Sequence, residues 1–231
     1  MESNIESTPV EGNKICYQAA SLLSLILHPA FITIYGVALL FIYAGFQYTF
    51  ASQFGRFMYP VVVFSCLIPI AGIFIFKKMG YISEYSLSRR EERFLPFLVT
   101  FMSYLVLFFY FYKAGLPSWF LSVLLVPVIL LLIVGVINIY WKISAHTTGI
   151  GALLGSVLSV CYNIKGVNPY TLFIILFILA GALGTSRLLK KRHTPAQVYC
   201  GFLIGLVVSY VVVFLGGYYP IIYMLVQSYF H

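Results

Sequence analysis

Apolar residues run along this chain in long unbroken blocks. Stretches without Asp, Glu, Lys or Arg cover 15–55, 57–76, 94–112, 114–141, 143–164, 166–186 and 193–231. A hydrocarbon core about 30 Å thick needs about 20 apolar residues per helix, and each block is about that long or longer. A spanning segment must satisfy its own backbone, as a helix or within a closed barrel. Barrel strands alternate over about 10 residues. These blocks do not alternate, so the pattern predicts helices over 19–45, 57–77, 95–112, 118–140, 146–162, 170–188 and 196–216. The first is long and contains Pro29, which predicts tilt or a kink. The tail 218–231 follows Gly216-Gly217, is too short to span, and has the Tyr and Phe residues of an interfacial segment. The expected fold is all-α, a polytopic integral membrane helix bundle of about seven transmembrane helices. A polar segment, 1–18, precedes a single transmembrane domain, 19–231.

Composition agrees and narrows the chemistry. Hydrophobic residues make up 61% and charged residues 9% of the 231; a soluble domain carries about 25% charged residues. There are 14 Lys and Arg, six Glu, no Asp, and a net charge of +8. Mg²⁺ prefers several carboxylate oxygens. The Asp-rich metal motifs of membrane prenyltransferases and phosphatidyl-alcohol transferases cannot exist here. The carboxylates are Glu2, Glu6, Glu11, Glu84, Glu91 and Glu92, half of them near the N-terminus, so no metal site and no cofactor is expected. Cys16, Cys66, Cys161 and Cys200 are scattered and read as small buried hydrophobes. The N-terminus lacks the basic region of a cleaved signal peptide, so the first apolar run is expected to stay in the mature protein. Nothing suggests nucleic-acid binding; the expected partner is the bilayer and a lipid within it.

With seven helices the cations sort. One side carries Lys14, Lys77, Lys78, Arg89, Arg90, Arg93, Lys142, Arg187, Lys190, Lys191 and Arg192; the other carries Arg56, Lys113 and Lys165. The positive-inside rule makes the first side cytoplasmic. Substrate-binding cations would weaken that count without reversing it.

Two histidines share the cationic side. His146 follows Lys142-Ile143-Ser144-Ala145, and His193 follows Ser186-Arg187 by six residues. Arginine clusters and two imidazoles suit phosphoryl transfer without a metal. Guanidinium forks match phosphate oxygens. Protein cations neutralise the charge spread over the equatorial oxygens. One histidine can attack phosphorus and the other can protonate the leaving oxygen.

Ser186-Arg187-x5-His193 resembles the third motif of the type 2 phosphatidic acid phosphatase superfamily, Ser-Arg-x5-His-x3-Asp. Ser144-Ala145-His146 resembles its second motif, Pro-Ser-Gly-His, and Arg89–Pro96 sits where the first, Lys-x6-Arg-Pro, belongs. The resemblance covers about 85–216 and implies a six-helix phosphatase-like core. It implies a metal-independent phosphatase of the bacterial inner membrane that hydrolyses a lipid phosphate or lipid pyrophosphate through a phosphohistidine. His193 would be the nucleophile and His146 the general acid. Arg187, with Ser144 and the Ala145 amide, would hold phosphate. Arg93 is the best counterpart of the first-motif Arg, with Arg89 or Arg90 in the Lys role, and Lys142 is an extra cation within reach. Gln197 stands where the family has Asp, Ala145 where it has Gly, Ile143 and Phe94 where it has Pro. These departures leave two alternatives: a weak or inactive relative that binds or moves an anionic lipid, or a phosphotransferase to an acceptor other than water.

Other features have plainer readings. Thr194-Pro195-Ala196-Gln197 is a capping box with Pro at the first helical position, so Gln197 serves the helix, the histidine, or both. Lys190, Lys191 and Arg192 read as headgroup anchors, Glu91 and Glu92 as partners of neighbouring arginines, and His28 as structural. Ala145/Gly149, Gly151/Gly155, Gly201/Gly205 and Gly181/Gly184 read as faces for close helix packing. Of these, Gly149, Gly151, Gly201 and Gly205 would let the helices after His146 and His193 approach. Asn138 is a polar group in an apolar helix with no evident partner.

Overall fold

The computed structural model describes residues 11–45, 48, 51–85 and 91–230. Among them the regular structure is helical throughout. The helices are α1 (Glu11–Ile26), α2 (Pro29–Tyr43), α3 (Phe54–Lys78), α4 (Phe94–Lys113), α5 (Ser118–Tyr140), α6 (Ala145–Lys165), α7 (Tyr170–Leu189) and α8 (Pro195–Phe230). The chain is an integral membrane protein: six of the helices, α3 to α8, are each long and apolar enough to cross a bilayer. The expected first span, 19–45, is two arms bent by 61°, which make a seventh crossing only if counted together.

The bend has a local cause. Pro29 has no N–H to give to α1 and a fixed φ suited to the first position of a new helix. His28 takes an extended conformation (φ −68°, ψ 140°) and its ring accepts the Ala30 N–H. α1 then lies against the end of α7: Lys190 Nζ donates to Ser21 Oγ at 2.9 Å, and Ser24 and Ser186 share a 2.6 Å hydroxyl contact. α2 turns away into the bundle, where Thr33 meets the Tyr104 hydroxyl of α4 at 2.7 Å. α3 carries a π-helical turn at Val63–Leu67 just before Pro69. Pro69 cannot donate to the Ser65 carbonyl, which loosens the ladder there.

α6 is the central helix; Ile150, Leu154 and Val157 are fully buried. It meets α8 along a glycine seam. A Cβ on Gly151 would run into the Phe202 carbonyl oxygen, one on Gly155 into that of Leu206, and one on Gly205 into that of Thr148. A Cβ on Gly201 would stand 2.7 Å from the Thr147 hydroxyl. In lipid, with little hydrophobic drive between helices, such close backbone packing is what holds them. Gly149 instead faces Ile32 of α2, and nothing packs within 4 Å of a Cβ on Gly181.

Two expectations are corrected. α8 does not stop at 216; it continues through Gly216-Gly217 to Phe230. Those glycines make room for neighbours: a Cβ on Gly216 would collide with Ser122, and one on Gly217 would crowd Ile164. Of the cysteines, Cys66 and Cys161 are buried, whereas Cys16 and Cys200 are exposed. The exterior is apolar in keeping with lipid, with Phe74, Phe109, Ile139, Ile174 and Leu203 all exposed.

Candidate functional site

Three inter-helix segments meet on the cationic side. The first is the 3₁₀ turn Glu91–Arg93 that leads into α4. Arg93 is buried, and its Nη1 donates to Asn138 Oδ1 at 3.2 Å and to the Ile143 carbonyl at 3.3 Å. The partner that the sequence does not reveal for Asn138 is thus this guanidinium. Arg93 is thereby tied to α5 and to the segment before α6.

The second segment opens α6. Ser144 is fully buried and caps the helix, accepting the Thr147 N–H at 3.5 Å. Its carbonyl accepts the Thr147 and Thr148 hydroxyls, and its N–H donates to the Gln197 carbonyl at 3.4 Å. That last bond joins the second and third motifs directly. His146 follows in the first turn. Its Nε2 lies 3.2 Å from the Ser24 carbonyl, an obligate acceptor, so Nε2 carries the proton. Its ring packs edge to face with His28, centroids 5.2 Å apart. His28 therefore reaches the motif face as well as capping α2. The His-Pro pair was the available signal, since a helix break can swing a cap residue onto a functional face.

The third segment joins α7 to α8. Lys191 has φ +52°, the one non-glycine positive φ among the described residues, and reverses the chain there. His193 Nδ1 lies 3.2 Å from Gln197 Oε1. The same oxygen accepts the Thr194 N–H at 3.1 Å, while the Gln197 N–H donates to Thr194 Oγ1 at 3.4 Å. The capping box and the histidine contact therefore coexist on one amide oxygen. Because the Thr194 N–H identifies that atom as the acceptor, His193 must hold its proton on Nδ1 and present Nε2 as a lone pair.

All three segments open on one cavity of about 530 Å³. Arg93, Ala145, His146, Arg187 and His193 line it, with His28 and Lys190. Arg187 Nε is buried and has no hydrogen-bond partner. Ser144, Gln197 and Lys142 do not line the cavity; the first two brace its walls through the bonds above. Arg89 and Arg90 lie outside the described residues. Of the residues read as anchors, Lys190 reaches the cavity wall and stands 5.9 Å over the Tyr17 ring. Glu92 accepts the Ser83 N–H at 3.0 Å. Among the described residues no three His, Cys, Asp or Glu side chains come close enough to hold a metal ion.

The site is strongly cationic. Burial, then the Arg187 charge, pushes the His193 imidazole down to about 4, against a smaller opposing effect of its bond to Gln197; Arg93 and Lys142 add to the depression. His193 is therefore neutral at neutral pH, as a nucleophile must be. Burial and the charges of Arg93, Arg192 and Arg187 lower Lys142. Lys190 is lowered by burial and by Arg187 and Arg192. Cations crowded this closely favour a bound anion.

The segment that carries two of these three clusters matches a known family model, that of the PAP2 superfamily, over residues 139–219. Over that segment the chain is similar to the PAP2 superfamily. No curated protein and no solved structure matches the chain. The matched segment contains Lys142, Ser144, Ala145, His146, Arg187, His193 and Gln197. Arg93 and His28 come from outside it and join its residues through the tertiary fold.

Proposed function

We propose that the protein is a membrane phosphatase that hydrolyses a lipid phosphate or pyrophosphate through a phosphohistidine. One observation carries this reading: His146, His193, Arg187 and Arg93 line a single cavity whose remaining walls are largely apolar. The phosphate sits between the two guanidiniums, and its tail stays in apolar surroundings.

Nε2 of His193 attacks phosphorus as the bond to the leaving oxygen breaks, and His146, as the imidazolium with Nε2–H on the Ser24 carbonyl, gives that oxygen its Nδ1 proton. Water then attacks the phosphohistidine, His146 takes the water proton, and inorganic phosphate leaves. Gln197 holds the Nδ1 proton of His193 throughout, the orienting role that a carboxylate plays in a charged triad. A neutral amide stabilises the phosphorylated, cationic imidazole less than a carboxylate does, so turnover is slow. The charge bias of the loops supports a cytoplasmic site.

Purified protein in detergent with EDTA should release phosphate from phosphatidic acid or a polyprenyl pyrophosphate. His193→Ala should abolish both release and an acid-labile, base-stable phosphoprotein. His146→Ala should stop release. The Gln197 departure favours a second reading, a lipid binder. That protein would release no phosphate and would lose lipid affinity on Arg187→Ala.

A further inference from the structure

The cavity extends well beyond a phosphate. Its lining runs along α4 from Arg93 to Tyr104 and along α6 from His146 to Ser156. At 1.5 Å per residue those stretches are about 15–16 Å deep, about half of a hydrocarbon core of about 30 Å. Gly36, Ala152 and Val126 face the deep part. Along it Thr100 donates to the Pro96 carbonyl at 2.6 Å and Thr33 and Tyr104 bond each other, while the Ser65 hydroxyl is buried without a partner. The wall therefore offers a ligand mainly hydrocarbon. A water takes up about 30 Å³, and a methylene about as much. The 530 Å³ of the cavity then suits a phosphate plus one chain that reaches leaflet depth, and it is too small for two.

We propose that the deep cavity receives the hydrocarbon chain of a single-chain lipid phosphate and limits its length near the Tyr104–Thr33 pair. This rests on the proposed phosphatase reading and narrows its substrate. The experiment measures kcat/KM for linear alkyl phosphates of increasing length and for diacyl phosphatidic acid, in detergent. For the natural protein kcat/KM should climb with length, peak when the tail matches leaflet depth, and fall beyond it; phosphatidic acid should be poorer than the peak. Ala152→Phe should cut the long-chain values about 10-fold or more while leaving the shortest within about 2-fold. Val126→Ala, which carries the test if the first variant fails to fold, should move the peak to longer chains. The same length profile in all proteins, or phosphatidic acid equal to the best single-chain substrate, overturns the proposal while the phosphatase reading stands. No phosphate release by the natural protein from any substrate overturns both.

A separate observation concerns His28. Its Nδ1 accepts the Ala30 N–H at 3.3 Å, so its neutral ring carries the proton on Nε2, and it packs 5.2 Å from the ring of His146 on the same cavity wall. We infer that His28 is a positioning residue that holds His146 for proton delivery to the leaving oxygen; this too rests on the phosphatase reading. His28→Asn keeps an acceptor able to cap α2 while removing the ring. It should slow an alkyl phosphate about 10-fold or more and leave an aryl phosphate, whose oxygen leaves without a proton, within about 2-fold. Equal losses on both, or none on either, overturn this inference alone. A natural protein inactive on both overturns the phosphatase reading with it.

Discussion

The two sides of α6 are built on opposite terms. Toward α8 its backbone touches a neighbour's backbone, and glycines leave no room for a single added carbon. Toward α4 and α5 the helices stand apart around a cavity of about 530 Å³. The tight side fixes where His146 stands relative to His193, because each begins a helix of the seam. The open side leaves space for a substrate. Precise placement of catalytic groups and accommodation of a flexible chain ask for different packing, and one helix supplies both by presenting glycines on one face and side chains on the other.

The comparison can be broken most severely at the reacting group. Replacing His193 with Ala should lower phosphate release about 1,000-fold or more, with little change in thermal unfolding; comparable activity in the variant would remove the histidine from the reaction. Next comes the seam. Gly205→Leu forces a side chain into the Thr148 carbonyl and should cost about 3 kcal/mol or more. Unfolding in detergent would read that loss, and a variant as stable as the natural protein would mean the helices are not held so closely. The mirror change on the open side, Gly36→Ala, meets only Leu153 Cδ1 at 3.4 Å and should stay within about 0.5 kcal/mol.

Gln197 sharpens the comparison because it serves both the helix and the histidine. Gln197→Glu keeps the reach and the capping box, adds a charge beside Nδ1, and should raise turnover about 10-fold. Unchanged turnover would reduce Gln197 to a cap. The smallest effect expected is on pH. Burial and the Arg187 charge hold His193 at about 4, below its ordinary value, so kcat/KM should fall only as pH drops through about 4, where the ring gains a proton and loses its lone pair. The same depression means that the neutral ring's support for the fold is present above its ordinary value and is lost as pH falls toward about 4. Removing one depressing charge with Lys142→Gln should move the acid limb upward by less than about one pH unit. A limb that moves down, or one already near neutrality in the natural protein, would contradict this electrostatic picture.

The long apolar blocks were legible because lipid demands about 20 consecutive residues without charge, and six of them appear as helices long enough to span. The break at His28-Pro29 was legible as a kink, but its 61° size and the docking of α1 on α7 were not. His28 reads as structural in sequence because the ring it touches is 118 positions away. The glycines at 151, 155, 201 and 205 read correctly as a packing face, whereas Gly149 turned out to serve α2 and Gly181 packs against nothing within 4 Å. Spacing alone cannot tell which neighbour a small residue faces.

By itself the sequence determined a helical membrane protein with imidazoles and guanidiniums at helix ends, since hydropathy and local motif spacing depend on neighbours in the chain. Only the tertiary structure decided that Arg93 binds Asn138, that one amide oxygen serves both a helix cap and His193, and that His28 shares a wall with His146. Those outcomes depend on how helices distant in sequence pack, and in lipid that packing is set by the shapes of their meeting surfaces.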